Sequence, residues 1–139
     1  MTLEISTDMR AALGTVRDQG RRPTCLSFAA SDAHRHAQRH EDRLCVEWLY
    51  YHAAKRAGTG PRCGTTMPDT QAVLRGTGQP VEASWPYSAI WPDPARWQPP
   101  KQISPLLTCE SNGCAPDIDG IRAELVAGRP VVVGVLLSN

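Results

Sequence analysis

A cysteine stands at the start of a predicted helix near the N-terminus of the chain. Helical spacing is visible over PTCLSFAASDAHRHAQRH, and Thr24, a plausible N-cap residue, places Cys25 in the first turn. The positive end of a helix favours the thiolate, which is the nucleophilic form of cysteine. Taken alone, such a cysteine is more often a small buried packing residue, so both interpretations stay open.

Five small or apolar residues at helical spacing predict the buried face of this helix: Leu26, Ala29, Ala30, Ala33 and Ala37. Polar residues crowd the remaining surface toward its C-terminal end and predict a solvated tail: His34, Arg35, Gln38 and Arg39. A nucleic-acid patch over HRHAQRHEDR is the alternative. Because Glu41 and Asp42 interrupt this run and no aromatic residue is interleaved for base stacking, we favour a solvated helix end.

Two further helices are predicted before the middle of the chain. One covers VEWLYYHAAKRAG, with Gly58 as its stop signal. Four residues supply its core face: Trp48, Leu49, Tyr51 and Ala53. The next helix is shorter, follows Pro68 and runs toward Gly76.

Proline and tryptophan dominate the stretch 79–105, which contains WPYSAIWPDPARWQPP. The prolines forbid long regular elements, but the tryptophans offer large apolar surfaces, so we predict an ordered and packed loop. Its tryptophans are interpreted as loop anchors rather than as a ligand cage: Trp85, Trp91 and Trp97.

The C-terminal part predicts a helix followed by a strand. The helix covers IDGIRAELVAG and is capped by Gly128, and the run VVVGVLL after Pro130 is typical of a strand that is buried on both faces. Such a strand needs neighbours because an exposed apolar edge promotes aggregation. We expect its partner strands beyond Asn139, on another chain, or both.

A longer motif around Cys25 resembles the papain-like cysteine peptidase family (C1-type). The segment DMRAALGTVRDQGRRPTCLSFAA contains an Asp-x-Arg, a Val-x-Asp-Gln-Gly, a short loop and a cysteine that opens a long helix. The spacing of six residues from Gln19 to Cys25 agrees with the family. Later segments resemble the family in the same order: LCVEWLYYHAAKR its second helix, CGTTMPDTQAVLRGTGQPVEASWPY its substrate-side loop and third helix, and IRAELVAGRPVVVGV the helix and strand leading into its second lobe.

The resemblance implies an α+β, papain-like fold in which residues 1–139 are an incomplete peptidase domain. Residues 1–105 would form the helical N-terminal lobe, and residues 106–139 the start of a β-rich second lobe that is largely absent after its first strand. The resemblance also implies a bacterial-type member that hydrolyses peptide bonds through a Cys25 thioester, with no cofactor and no metal. The backbone N–H of the nucleophile and the Gln19 amide would stabilise the oxyanion.

Four residues of the substrate-side loop match positions of the family: Gly64, Thr65, Thr66 and Met67. The resemblance implies that the first three lie beside the backbone of a bound peptide and that the methionine helps to line a pocket for an apolar side chain. Two positions near Cys25 depart from the family, and the family's glycine pair in the substrate-side loop is also altered. Arg22 stands where many members have a disulfide cysteine, and Leu26 stands where they have a tryptophan. A cytosolic member can lose that disulfide without difficulty.

The family mechanism also needs a histidine base and an Asn or Asp that orients it, both from the second lobe. His34, His36 and His40 lie roughly 13, 16 and 22 Å along the helix from Cys25, too far for a hydrogen bond. His52 is interpreted as a surface or satisfied core residue. We therefore expect a truncated or split peptidase whose missing lobe a second chain could supply. The alternative is a non-catalytic pseudo-peptidase that binds a peptide or partner protein.

Composition narrows the class of partner. The net charge of +1 gives no field that would attract nucleic acid or an acidic membrane face. Neither a signal-peptide core nor an apolar run of about 20 residues is visible. We expect a cytoplasmic protein with a peptide or protein substrate and with no nucleic-acid or membrane partner.

The odd count of five cysteines predicts mostly free thiols. Cys109 and Cys114 bracket ESNG, a spacing that suits loop thiols, a small disulfide or two ligands of a zinc ion. No second close pair of Cys or His completes a zinc site, so we favour loop thiols. Cys45 and Cys63 are interpreted as packing residues, although the resemblance puts Cys63 near the substrate-side loop.

Overall fold

The computed structural model describes residues 4–135 and is built mainly from helices. These are α1 (Arg10–Leu13), α2 (Cys25–Ala37), α3 (Val46–Arg56), α4 (Met67–Ala72) and α5 (Ile118–Val126). A π-helical turn, Val73–Thr77, continues α4, and a 3₁₀ turn covers Glu82–Ser84. Within residues 4–135, every helix is too short or too polar to cross a bilayer.

The core forms where α2, α3 and α4 pack against one another. Its main cluster joins Ala30 of α2, Leu49 and Ala53 of α3, and the π-helical residues Val73 and Leu74. The bounds of α3 agree with the predicted helix, and the positive φ of 70° at Gly58 agrees with the predicted stop signal. This three-helix core holds the start of α2 in a fixed position.

The buried face of α2 differs from the alanine face predicted from sequence. Its buried residues are Ser27, Ala30, Ser31 and His34, whereas Ala29 and Ala37 are exposed. The prediction is confirmed for Ala30 and wrong for Ala29 and Ala37, because it counted only apolar residues toward the buried face and left the serines out. Ser31 and His34 are buried here because Gln79 supplies a polar partner to each, whereas Oγ of Ser27 is buried without a hydrogen-bond partner among the described residues.

Gln79 is the partner that allows His34 to be buried. The Nδ1 atom of His34 lies 2.9 Å from Oε1 of Gln79, and the Gln79 amide donates to Oγ of Ser31 at 2.6 Å and to the Cys45 carbonyl at 2.8 Å. His34 is therefore part of the core and does not belong to a solvated tail.

Burial of His34 should make the stability of the fold depend on pH. Burial lowers the pKa of His34, despite its hydrogen bond to Gln79, so the folded state holds fewer protons than the unfolded state in mildly acidic solution. Full stability is present above the unfolded pKa of about 6.5 and decreases as the pH falls below it. We expect the free energy of unfolding, measured with urea, to be lower near pH 5.5 than near pH 7.5.

Replacing the imidazole tests this assignment. In the variant His34→Gln, the free energy of unfolding should depend less on pH. The pH dependence that remains should come from His52, whose pKa is also lowered by burial. An unchanged pH dependence in this variant would show that His34 does not cause it.

The Pro- and Trp-rich segment is a packed loop. Trp97 is only 5% exposed and packs with Tyr50 and Ala54 of α3, while the half-buried Trp85 adds to the same cluster. Two isolated β-bridges, Leu44 to Val81 and Gln79 to Leu107, connect the two ends of the segment to the core. Trp85 and Trp97 therefore anchor the loop as predicted, whereas Trp91 is half-buried outside this cluster.

The C-terminal helix forms as predicted, but the strand after it does not. Asp117 caps α5 by accepting a 2.7 Å hydrogen bond from the Gly120 amide, and Gly128 has a φ of 76°. Residues 131–135 form no strand, and Val133 and Val135 are exposed; the remaining residues of the predicted strand, 136–137, lie outside the described residues. A strand exists through hydrogen bonds to a neighbour, and residues 4–135 supply none at this position.

Candidate active site

Cys25 is the first residue of α2, and it is exposed. The backbone N–H groups of a first helical turn have no partner within the helix, so they point toward whatever lies at this end. Thr24 occupies the N-cap position but does not cap with its side chain. Its Oγ1 lies 2.9 Å from the Tyr87 hydroxyl instead. The thiol thus sits at an open helix N-terminus, as the sequence predicted.

Gln19 is half-buried and is held at both its side chain and its backbone. Its Nε2 donates to the carbonyl of Arg22 at 2.8 Å, and its carbonyl accepts from the Tyr87 hydroxyl at 2.7 Å. A primary amide carries two N–H groups, so one remains for another acceptor. Because Tyr87 has a single hydroxyl proton, Thr24 must donate to Tyr87. One phenol therefore connects Gln19 to the residue before Cys25.

The carbonyl of Arg22 binds both Gln19 and Thr24, the residue before Cys25. Besides the Gln19 amide, it accepts the backbone N–H of Thr24 at 2.9 Å. A carbonyl oxygen has two lone pairs, and both are used here. The position of this one oxygen therefore fixes both the Gln19 side chain and the start of α2.

The Arg22 side chain is buried, with only 1% of the residue exposed. Its two terminal nitrogens each donate at 2.7 Å to one carboxylate oxygen of Glu47, and Nη1 also donates to the Ser88 carbonyl at 2.6 Å. Burial alone would lower the pKa of Arg22, but the hydrogen bonds and the charge of Glu47 outweigh it and raise the pKa. The guanidinium is permanently charged and rigidly held.

Aromatic residues enclose this ion pair. The guanidinium carbon of Arg22 lies 4.9 Å from the ring centre of Tyr87 and 5.5 Å from that of Tyr50. The indole N–H of Trp97 donates to Glu47 at 2.7 Å. The loop 19–25 is thus connected to α3 and to the Pro- and Trp-rich loop.

The predicted substrate-side residues lie at the start of α4, which packs against α2 and α3. Thr66 is the N-cap of α4, and its hydroxyl binds the backbone N–H and the carboxylate of Asp69 at 3.2 and 2.7 Å. Gly64 is exposed, whereas Thr65 and Met67 are half-buried. Within the described chain, no hydrogen bond connects these four residues to Gln19 or Cys25. Their roles toward a bound peptide stay predictions.

All four histidines lie in the described part of the chain, and each is engaged away from Cys25. His34 binds Gln79 in the core, and Nε2 of His36 lies 3.0 Å from the Gly128 carbonyl. His40 follows the end of α2 and contacts Asp42. His52 is half-buried, with its ring 4.3 Å from that of Trp48, and burial lowers its pKa. No histidine among residues 4–135 is placed as a base for Cys25.

The five cysteines are all described, and none forms a disulfide. Cys45 is buried, and burial raises the pKa of its thiol to about 12. Cys63 is exposed, so its interpretation as a packing residue was wrong. Cys109 and Cys114 are half-buried loop thiols, and residues 4–135 contain no group of three or more His, Cys, Asp or Glu that could hold a metal ion.

The sequence interpretation missed three residues that hold the site: Arg22, Glu47 and Tyr87. Arg22 was noted only as a departure from the family. The sequence did contain a signal for this pair. Arg22 lies in the loop 19–25, whose conformation must be fixed, and Glu47 interrupts an otherwise apolar helix start. Charged residues are seldom buried unless they are paired.

The arrangement of the described helices is shared with a solved cysteine protease. No family model matches the sequence, and no curated protein matches it. Among solved structures, xylellain, a cysteine protease from Xylella fastidiosa, is similar to this chain with a TM-score of 0.64 and 20% sequence identity. The similarity covers 89% of this chain and 58% of the xylellain chain. The predicted papain-like fold is thus supported, and this chain spans little more than half the length of its structural neighbour.

Proposed function

We propose that this chain carries the nucleophile and an oxyanion donor of a papain-like cysteine peptidase of the C1 type. The observation that carries the proposal is the loop 19–25, in which the Arg22 carbonyl holds the Gln19 amide beside the exposed start of α2. The shared fold with a cysteine protease supports it. The reaction would be hydrolysis of a peptide bond through a thioester on Cys25.

The first step would be attack by the Cys25 thiolate on the carbonyl carbon of the scissile bond. A carbon–sulfur bond forms, and the carbonyl electron pair moves to oxygen. The backbone N–H of Cys25 and the free N–H of Gln19 would donate to that oxyanion. When the oxyanion collapses, the carbon–nitrogen bond breaks, and the leaving amine takes a proton from a general acid. Water then hydrolyses the thioester and restores the thiol.

The general acid and base would come from outside residues 4–135. This part of the proposal rests on the positions of the four histidines, each of which is engaged elsewhere. The second lobe of a papain-like peptidase, on the same chain or on a second one, would provide the histidine and its orienting residue. Residues 1–139 alone would then form the acyl-enzyme only with esters whose leaving groups need no proton.

The substrate would lie along the start of α4. Gly64, Thr65 and Thr66 would flank its backbone, and Met67 would contact an apolar side chain. Packing of α4 against α2 supports this placement. The loop is also tied to α3, because the Tyr50 hydroxyl donates to the Cys63 carbonyl at 2.7 Å.

Hydrolysis of peptides by the protein made from its native gene tests the proposal. We expect internally quenched peptides with apolar side chains to be cleaved, and cleavage to stop when Cys25 is replaced by alanine. Cleavage that survives this replacement would contradict the proposal.

The second candidate is a pseudo-peptidase that binds a peptide or a partner protein. This candidate is favoured for residues 4–135 taken alone, because none of their histidines is positioned to act as a base for Cys25. It predicts that the native protein binds peptides, observed by fluorescence anisotropy, without cleaving them and without forming a thioester. Acylation of Cys25 by an activated peptide ester would distinguish the peptidase from this candidate.

A further inference from the structure

We propose that Arg22 is a positioning residue for oxyanion stabilisation: its buried pair with Glu47 fixes the Arg22 carbonyl and thereby aims the Gln19 amide at the carbonyl that Cys25 attacks. The inference rests on the proposed function and goes beyond it, because Arg22 contacts neither the thiol nor a substrate. It acts through Gln19.

The side chain and the carbonyl of Arg22 have separate tasks. The side chain is buried in the core, where its two terminal nitrogens donate to Glu47 and to the Ser88 carbonyl at 2.6 to 2.7 Å. The carbonyl points toward the site, where it accepts from Gln19 and Thr24. Since both belong to one residue, the ion pair restricts where the carbonyl can lie.

A charged pair suits this task because it is directional. A guanidinium and a carboxylate that bind through two parallel hydrogen bonds fix both distance and orientation, whereas an apolar contact permits sliding. Glu47 is itself held by the Trp97 indole and by its place in α3. The pair therefore transmits the rigidity of the helical core to an exposed loop.

Two reactions of the Cys25 thiol distinguish a loss of oxyanion positioning from a general loss of folding. Acylation of Cys25 by a p-nitrophenyl ester of a blocked dipeptide passes through an oxyanion and needs no proton on its leaving group. Alkylation by iodoacetamide is a direct displacement at carbon and forms no oxyanion. Both rates are measured on the full chain, with the modified residue identified by peptide mapping.

The informative variant is R22M/E47Q, which leaves no unpaired charge and keeps an acceptor for Trp97. We expect Gln19→Ala to slow acylation about 100-fold and R22M/E47Q to slow it about 10-fold, each with alkylation changed by less than about twofold. In the Gln19→Ala background, R22M/E47Q should slow acylation no further, because the amide that it positions is already absent.

If R22M/E47Q does not unfold cooperatively, a second variant tests the same positioning role. Tyr87→Phe removes only the hydroxyl that binds the Gln19 carbonyl and Thr24, and we expect it to slow acylation about 5-fold while alkylation stays unchanged. This loss should also vanish in the Gln19→Ala background.

Each outcome decides a different question. If R22M/E47Q acylates at the wild-type rate, or slows acylation equally with and without Gln19, the positioning role is wrong while the proposed function stands. If R22M/E47Q does not fold, the positioning role is overturned when Tyr87→Phe acylates at the wild-type rate, or when it slows acylation equally with and without Gln19. If Gln19→Ala itself has no effect, the oxyanion role of Gln19 fails, and the positioning role fails with it.

Discussion

Replacement of Cys25 by alanine is expected to abolish acylation by an activated peptide ester, a loss of at least about 1,000-fold set by the background reaction. The physical reason is that the thiolate forms the new bond to carbon, and the other thiols are either less exposed or outside the site. The measurement is the burst of p-nitrophenol on mixing protein and ester.

Cys63→Ala is the matched control for this replacement. Cys63 is also exposed, but it precedes the substrate-side loop and does not begin a helix. We expect this variant to acylate within about twofold of the wild-type rate, because no step of the mechanism uses its thiol. A burst that depends on Cys63 rather than Cys25 would contradict the assignment of the nucleophile.

Replacement of Glu47 by alanine is expected to lower the free energy of unfolding by about 3–5 kcal/mol. The change leaves the Arg22 guanidinium buried without its carboxylate and removes the acceptor of the Trp97 indole. A stable domain has only about 5–15 kcal/mol in total, so the loss is large. Urea unfolding followed by tryptophan fluorescence measures it.

An exposed ion pair provides the control for burial. Arg75 and Glu110 lie 2.8 Å apart, but their side chains are 55% and 70% exposed. Arg75→Ala should change the free energy of unfolding by less than about 0.5 kcal/mol, because water screens and solvates both charges. Equal losses from Glu47→Ala and Arg75→Ala would show that the buried pair has no special role in the fold.

Local sequence patterns predicted the elements that local interactions determine. The start of α2 at Cys25 and the bounds of α3 follow from helical spacing, a plausible N-cap residue and a glycine with positive φ. The packed character of the Pro- and Trp-rich loop follows from its tryptophans, of which Trp97 is buried. The two helix features depend on residues that are close together along the chain, whereas the loop was predictable because large apolar side chains are buried against some partner, near or distant.

Features that depend on distant partners were not predictable in this way. His34 is buried because Gln79, 45 positions further along the chain, binds it. Arg22 is buried because Glu47 and Ser88, 25 and 66 positions away, accept hydrogen bonds from its terminal nitrogens. A polar residue is read as solvent-facing until its partner is known, so both were placed on the surface or passed over.

The predicted strand failed for the same physical reason. The composition of VVVGVLL favours a strand, but a strand exists only with hydrogen-bonded neighbours, and residues 131–135 have none in the described chain. The expectation of partner strands from a second lobe or another chain stays a prediction.

The most direct measurement for the central claim is the intact mass of the protein after brief exposure to an activated peptide ester and an acid quench. The account predicts one added acyl group, mapped by fragmentation to Cys25 and removed by hydroxylamine as a thioester is. No adduct on Cys25 under conditions in which iodoacetamide still modifies it would contradict the claim that this loop is built for acyl transfer.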